Sequence, residues 1–243
     1  IDNEVLGISG TSENDATYSC GGSLFIRQED PAAYFITGIE ITNSYCMHYG
    51  GAIGVFAGDY EGTSPQQLFI EFQKCTFKNC TSGIRGGAIK CGTGIKNDGK
   101  KNNDVKISNC VFDFCDSITG GSLFFADGTK EGDEETVVEY CRFIGITSEH
   151  YQTKGTSGSA IYCRSFKFEL LHSIFEDYKG PSSLLFVTLN ENNLQPKVTN
   201  CTFSKNEQKI DFESGEGVTG TGSSITFSKC KFTENNCDIE NGY

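Results

Sequence analysis

The sequence predicts an all-β fold: a single-stranded right-handed parallel β-helix, or solenoid, of about seven coils. One observation is a frame of alternating apolar residues that returns seven times along the 243 residues. Another is a pair of small residues, followed by an apolar run, that returns between copies of that frame. Short strands bury their apolar faces by stacking copies, and repeats of about thirty residues are typical of solenoids. We predict a right-handed helix because crossover connections between parallel strands are almost always right-handed.

The first strand signal of each repeat consists of a small residue, here called the index residue, and of apolar residues at fixed distances from it. Apolar residues at every second position predict a strand with one buried face. The index residues are Ser44, Cys75, Cys110, Cys141, Ser173, Cys201 and Cys230. Two positions later come Cys46, Phe77, Phe112, Phe143, Phe175, Phe203 and Phe232. Three positions earlier come Ile41, Phe72, Ile107, Val138, Leu170, Val198 and Phe227, and five earlier come Ile39, Ile70, Val105, Thr136, Phe168, Pro196 and Ile225. Stacking these copies predicts one internal column of phenylalanine rings.

The second strand signal is the small-residue pair itself. It begins at Gly21, Gly50, Gly86, Gly120, Gly158 and Ser182, and each copy continues into an apolar run. Glycine permits a tight corner and close approach of backbones, so each pair predicts a bend before an inward-facing strand. In the seventh repeat the pair is lost, and Ile210 and Phe212 are expected to supply this strand. Period-two alternation makes the third residue of each copy outward: Ala52, Ala88, Ser122, Ala160 and Leu184.

Composition favours one domain spanning residues 1–243. The chain has 29 glycines, 12 cysteines, four prolines and no tryptophan, and no stretch shows sustained helical periodicity. No apolar run is long enough to cross a bilayer, and no signal peptide is recognisable. Neither end carries an obvious polar cap, which solenoids require, so we expect a segment of a longer chain or a mature fragment of one.

The net charge of −12 argues against nucleic acid and against insertion into anionic membranes as partners. Much of the charge falls in loops of variable length after the small-pair strand, at residues 28–33, 58–66, 92–103 and 127–135. Loops at one place in a repeat project from one edge, where solenoids bind partners. A solvated edge that keeps the rod soluble is the alternative. The candidate partner-binding residues are Asp59, Glu61, Asp127, Glu131, Asp133 and Glu134. Ca²⁺ bound by their carboxylates is a candidate cofactor.

Twelve cysteines indicate a secreted or surface protein with some disulfides, although small buried thiols also fill narrow interiors. Residues stacked in neighbouring coils lie about 4.8 Å apart, within disulfide range, so we expect an axial bridge between Cys80 and Cys115. Cys91 and Cys163 share a position two coils apart and should not pair. A metal site at the Cys75/Cys80 and Cys110/Cys115 spacings is disfavoured, because the ligand spacing of zinc sites is absent.

Two N-x-T motifs, at Asn79 and Asn200, are candidate glycosylation sites if the chain is secreted by a eukaryote. Alternatively, both asparagines are turn residues whose side chains bond nearby backbone, which is also the interpretation for Asn206 and Asn235. The histidines at 48, 150 and 172 occupy different repeat positions. They are expected at the surface or in turns rather than in one cluster.

Two motifs carry a family resemblance. Gly-Gly-Ala-Ile at residues 50–53 and 86–89 matches the GGAI element of the polymorphic outer-membrane-protein repeat, and residues 203–206 and 232–235 match its FxxN partner. In other repeats the asparagine is replaced by Cys80, Cys115, Ile146 or Tyr178. The chain thus resembles the β-helical surface proteins of chlamydiae and some protists. The resemblance implies a surface-exposed stalk or adhesin segment.

An enzyme is the main alternative, because polysaccharide lyases and glycoside hydrolases of the pectate-lyase-like class use the same architecture. Glycoside hydrolysis needs two carboxylates about 5–10 Å apart. The outward column Glu40, Glu71, Lys106, Val137, Glu169, Lys197 and Thr226 instead predicts opposite charges stacked coil on coil, as Glu71/Lys106 and Glu169/Lys197. We therefore expect a non-catalytic extracellular or cell-surface β-helix that acts through its loop edge and ends, on a protein or glycan partner or by end-to-end self-association.

Overall fold

The computed structural model describes residues 4–5, 21–28, 32–57, 68–93, 103–126, 135–145, 158–164, 167–179, 183–189, 196–207, 209–214, 226–236 and 239–241. Within these ranges the chain is all β and forms a parallel β-helix, as predicted. Strands at equivalent places in successive repeats pair in parallel, so the repeats of the sequence are the coils of the solenoid.

Four parallel sheets form the walls. Wall A contains the strands that follow the small-residue pairs: β2 Leu24–Gln28, β6 Ile53–Ala57, β10 Ile89–Thr93, β13 Leu123–Ala126, β16 Ile161–Arg164, β19 Ser183–Leu189, β22 Lys209–Ser214 and β25 Ile239–Asn241. Wall B contains β3 Ala32–Thr37, β7 Leu68–Gln73, β11 Asn103–Ser108, β14 Glu135–Glu139, β17 Lys167–Leu171, β20 Lys197–Thr199 and β23 Thr226–Ser228.

Wall C contains β4 Glu40–Thr42, β8 Thr76–Lys78, β12 Val111–Asp113, β15 Arg142–Ile144, β18 Ile174–Glu176, β21 Thr202–Ser204 and β24 Lys231–Thr233. A short fourth sheet, wall D, contains β1 Glu4–Val5, β5 Tyr45–Cys46 and β9 Thr81–Ser82. Against the predicted seven coils, walls A to D count eight, seven, seven and three strands. Two-residue strands are too short to produce an alternation pattern, which is why wall D was missed.

The phenylalanine column forms as predicted. The rings of Phe77, Phe112, Phe143, Phe175, Phe203 and Phe232 stack in sequence with centroid separations of 4.6–5.2 Å. The first five rings are at most 1% exposed, whereas Phe232, in the last strand of wall C, is 42% exposed. The column is the centre of the apolar core that the walls enclose.

The predicted frame is wrong in the first coil. Ile41, and not Cys46, pairs with Phe77, while Ile36 pairs with Phe72 and Phe35 with Glu71. The true frame lies five residues upstream, and Ser44 stands opposite Cys80. The error arose because Ser44-x-Cys46 imitates the small-x-apolar pattern of the later repeats, and apolar alternation on both sides fits either register.

The prediction that Ala52, Ala88, Ser122, Ala160 and Leu184 face outward is also wrong, since all five are at most 1% exposed. The first glycine of the pair adopts a positive φ, 66° at Gly50 and 67° at Gly86. This left-handed residue interrupts the period-two alternation, so the third residue of the frame also lies in the core. The strand of the seventh repeat is confirmed, because Ile210 pairs with Leu185 and Phe212 with Val187.

In most coils two corners each turn on a single residue in the left-handed region. At the corner between walls B and C, φ is 50–55° at Lys74, Asn109, Tyr140, His172, Asn200 and Lys229. At the corner after wall C, φ is 50–61° at Asn43, Asn79, Phe114, Asp177, Lys205 and Glu234. One left-handed residue bends the chain sharply between two strands, and its side chain projects outward from the corner. Each corner therefore presents a column of side chains along the rod.

Candidate functional site

The outer faces of walls B and C carry charges that pair between neighbouring coils. Lys197 Nζ lies 2.7 Å from Glu169 Oε1, which confirms one predicted ladder pair. Lys106 stands opposite Glu71 in the strand register, but its Nζ binds Glu139 Oε1 at 3.1 Å. The hydrogen bond to Glu139 raises the pKa of Lys106, and Glu71 adds to the shift. The predicted Glu71/Lys106 pair is thus replaced by a diagonal one.

Wall C repeats this arrangement. Lys78 Nζ lies 3.2 Å from Asp113 Oδ2, and Arg142 Nε donates to Glu176 Oε1 at 2.6 Å. Lys78 and Asp113 occupy the same column, one coil apart, whereas Arg142 reaches diagonally to Glu176, which stands opposite Ile144. The four carboxylates in these pairs are held by cations of neighbouring coils, which stabilises stacking of the coils on a solvated surface.

The thiol column, defined as Cys75, Cys110, Cys141, Ser173, Cys201 and Cys230, forms hydrogen bonds within the wall. The Sγ of Cys110 donates to Phe72 O at 3.7 Å in the preceding coil and to Ser108 O at 3.2 Å. It also accepts the Cys75 N–H at 3.4 Å. Ser173 performs the same role, since its Oγ accepts the Cys141 N–H at 3.2 Å. The column therefore satisfies backbone groups at a bend, and its sulfurs are structural.

The predicted disulfide between Cys80 and Cys115 does not form, because both residues are thiols in the structure. They stand opposite each other, but each Sγ donates to two carbonyl oxygens, those of Ile41 and Lys78 for Cys80. In-register stacking keeps side chains parallel at about 4.8 Å, longer than the roughly 3.5–4.5 Å between Cβ atoms that a disulfide needs. Burial raises the pKa of Cys115 well above its ordinary value. Cys91 and Cys163 are separated by the row of Phe125, as expected.

An amide column takes over in the later coils. Asn206 is 1% exposed, its Nδ2 donates to Phe175 O at 3.0 Å, and its Oδ1 accepts the Tyr178 N–H at 3.1 Å. Asn235 repeats the bonds one coil later, to Phe203 O and Asn206 N. The asparagine of the FxxN motif is thus an internal bridge between coils, not the local turn residue that the sequence predicted.

The N-x-T asparagines lie at the two corners. Asn79 and Asn200 are both exposed left-handed residues, with φ of 50° and 54°. Asn79 Nδ2 donates to Asn43 Oδ1 at 3.1 Å, a side-chain partner rather than the backbone partner expected of a turn residue. His172 is an exposed corner residue, as predicted, and His48 is half-buried.

Six predicted partner-binding residues lie outside the described ranges: Asp59, Glu61, Asp127, Glu131, Asp133 and Glu134. His150 and Ile146 do so as well. Within the described ranges, no three His, Cys, Asp or Glu side chains gather where they could hold a metal ion. The same ranges contain no helix, and so none that could cross a membrane.

Sequence reasoning missed a cation–aromatic cluster on the outer face of wall A. The Arg85 guanidinium lies 5.6 Å from the Tyr49 ring centroid and 5.1 Å from that of Phe124. Lys90 Nζ lies 5.9 Å from the Tyr49 centroid, and Phe124 stacks on Tyr162 at 4.9 Å. Lys90 and Phe124 are at most 5% exposed, so the cluster packs the wall. The sequence signal for this cluster was the fifth position of the repeated segment that begins with the small-residue pair. That position is occupied by Phe25, Gly54, Lys90, Phe124 and Tyr162.

A second missed feature is exposed. Tyr140 and His172 are consecutive members of the column at the corner between walls B and C, and their rings stack with centroids 4.6 Å apart and an interplanar angle of 5°. Tyr140 is 53% exposed, and Ile174 beside them on wall C is 41% exposed. We call these three residues the corner shelf. The sequence signal for the corner shelf was an aromatic residue immediately before the index residue in two successive repeats.

Comparisons with protein-family models, with curated proteins and with solved structures found no match for the chain.

Proposed function

We propose that the chain is a non-catalytic β-helical rod of the cell surface or extracellular space, structural or adhesive in role, that presents partner-binding groups on its outside. The observation that supports this best is the pairing of charges on walls B and C. The acids in four ion pairs are each held by a cation on a neighbouring coil. An acid that serves a hydrolase must be free to exchange a proton with substrate or water, whereas an acid in such a pair is bound by its cation and oriented along the wall.

The resemblance of the GGAI and FxxN motifs to surface β-helix repeats agrees with this proposal. The amide bridges at Asn206 and Asn235 give the FxxN element a purely structural role, so the motif supports rigidity rather than chemistry. Rigid columns of stacked side chains hold the outer groups at fixed spacing, which suits a stalk or an adhesive surface. A glycan at Asn79 belongs to the same proposal, since that side chain is exposed.

Self-association is the second part of the proposal. Leu24 in the first strand of wall A is 37% exposed, and Phe232 in the last strand of wall C is 42% exposed. A second copy stacked there would extend the phenylalanine and leucine columns and pair the outer strand edges. Static light scattering between micromolar and millimolar concentrations tests this, with Phe232→Asp as the variant that abolishes the stacking. A monomer at every concentration rejects it.

The experiment that tests the non-catalytic role is incubation with neutral and acidic polysaccharides, with and without Ca²⁺, followed by assays for reducing ends and unsaturated products. We expect no product, together with adhesion of the chain to cells or matrix. Turnover that disappears on substitution of a single carboxylate would establish the alternative, a polysaccharide lyase or hydrolase. Absence of both turnover and adhesion would reject the adhesive role.

A further inference from the structure

The corner shelf combines exposed ring surface with a rigid position. Tyr140 and His172 have φ of 53° and 50°, so the backbone at a left-handed corner holds each side chain outward. Their rings are stacked face to face, and no further ring within the described ranges stacks on either of them. Ile174 extends the apolar surface onto wall C. A fixed, partly exposed aromatic surface is a common element of binding sites.

Amide groups flank the shelf along the rod. Asn109 precedes Tyr140 in the corner column and Asn200 follows His172, with φ of 54° at both asparagines. Both side chains are exposed, and Thr199 and Thr202 beside Asn200 are half-exposed. An amide donates and accepts hydrogen bonds, as a hydroxyl does. The rim of the shelf is therefore rich in groups that match ligand hydroxyls in either direction.

The charges next to the shelf are compensated. On the wall B side Glu139 binds Lys106, and on the wall C side Glu176 binds Arg142. In a chain with a net charge of −12 this leaves a surface without excess charge. A basic or an acidic ligand would have to break an ion pair to gain an electrostatic contact, whereas an uncharged ligand would not.

We propose that the corner shelf binds a neutral glycan, with sugar rings packed on Tyr140 and His172 and sugar hydroxyls bonded to the amides of Asn109 and Asn200. The apolar ring face of a sugar matches the aromatic surface, its hydroxyls match the amide rim, and its neutrality matches the paired charges. The proposal deepens the proposed function, since it names the partner class of an adhesive rod and therefore rests on that function.

The corner column itself supplies conservative variants. Asparagine occupies positions 109 and 200 with the same backbone conformation, so Tyr140→Asn and His172→Asn remove a ring without straining the corner. Lys74→Asn makes the same replacement at φ 55°, in the same column but away from the shelf, and is the matched control. Binding of the full chain to immobilised neutral oligomers of glucose, mannose, galactose and N-acetylglucosamine is measured, with uronate and sulfated oligomers and a polylysine surface as charged comparisons.

We expect the full chain to bind at least one neutral oligomer, with about threefold to tenfold weaker affinity for each lost ring, as for other aromatic contacts, and no change in Lys74→Asn. Equal affinity of the shelf variants and the full chain, or binding to charged surfaces only, overturns the inference. Adhesion to cells separates the two proposals. If the double shelf variant adheres as well as the unchanged chain, the adhesive function stands and the glycan site fails. If the shelf binds glycan but the chain adheres to no cell or matrix, the glycan site stands and the adhesive function fails.

Discussion

The side-chain amide of Asn206 bridges two coils by accepting the backbone N–H of Tyr178, at 3.1 Å, while it donates to the carbonyl of Phe175. Phe175 lies within β18, and Tyr178 lies just beyond its end. We predict that Asn206→Leu lowers the free energy of unfolding by about 2–4 kcal/mol, because two buried polar groups lose their partners. Urea unfolding followed by circular dichroism measures this.

The control for the amide bridge is Asn235→Leu. Asn235 makes equivalent bonds but is only half-buried, so water can replace them and the loss should be smaller. Equal losses for the two variants would contradict the role given to burial.

The phenylalanine column gives a second prediction. Phe143 is fully buried between Phe112 and Phe175, with centroid distances of 4.8 and 4.6 Å. Phe143→Ala should lower the free energy of unfolding by about 3–5 kcal/mol, as large truncations in a packed core do. Phe232→Ala removes the same ring from the 42% exposed end of the column and should cost clearly less. Similar chemical-denaturation midpoints for the two variants would argue against a continuous column.

The thiol column predicts a loss of stability at alkaline pH. The hydrogen bond to Cys141, together with burial, raises the pKa of Cys110 to about 12 from an ordinary 9.0, and burial raises that of Cys201 to about 12. Above pH 9 the unfolded chain releases these protons while the folded chain retains them. The stabilisation is therefore complete below pH 9 and is lost as pH rises towards 12. Urea midpoints at pH 7, 8.5 and 10 check this.

The matched variant for the alkaline effect is Cys110→Ser, because serine already occupies the column at Ser173. The hydroxyl keeps the hydrogen bonds but does not ionise, so the fall in stability between pH 8.5 and 10 should be shallower than in the unchanged chain. An unchanged slope would show that other groups produce the pH dependence.

A fourth prediction concerns the corner between walls B and C. Asn109 has a φ of 54°, which asparagine and glycine tolerate and β-branched residues do not. Asn109→Val should destabilise the fold by about 1–3 kcal/mol through backbone strain, whereas Asn109→Gly should be close to neutral. Thermal unfolding of the two variants compares them directly. A valine variant as stable as the glycine variant would mean that the corner can relax.

The fold could be predicted because its signal is repeated. The pairing of Phe77 with Phe112, and of Phe112 with Phe143, follows from identical spacing in successive repeats. In the first coil the same reasoning chose the wrong register, since Ser44-x-Cys46 fits the frame as well as Ile39-x-Ile41 does. The period-two alternation also placed Ala52 on the wrong face, because the left-handed backbone at Gly50 changes the side of the wall on which the following residues lie.

The candidate site was less predictable than the fold. Spacing brought Cys80 and Cys115 together correctly, but it could not show that parallel side chains in adjacent coils favour carbonyl partners over a disulfide. The corner shelf escaped notice because Tyr140 and His172 occupy a position whose other members are Lys74, Asn109, Asn200 and Lys229, with no shared chemistry. Only the left-handed backbone that they share makes that position a projecting column.

The glycine pairs also restrict how such a rod can change in length. A Cβ on Gly51 would lie 2.1 Å from the carbonyl oxygen of Gly87, and one on Gly87 would lie 2.1 Å from that of Gly121. Adjacent coils are thus in contact at a place where no side chain fits, and every other column is held in register with them. Loss or gain of a single residue within a wall or corner would shift the phenylalanine, thiol and amide columns of that coil out of alignment, whereas the loops that follow wall A differ in length without doing so. Duplication or deletion of an entire repeat leaves all of them aligned, so the reach of the rod evolves in whole steps of about 4.8 Å.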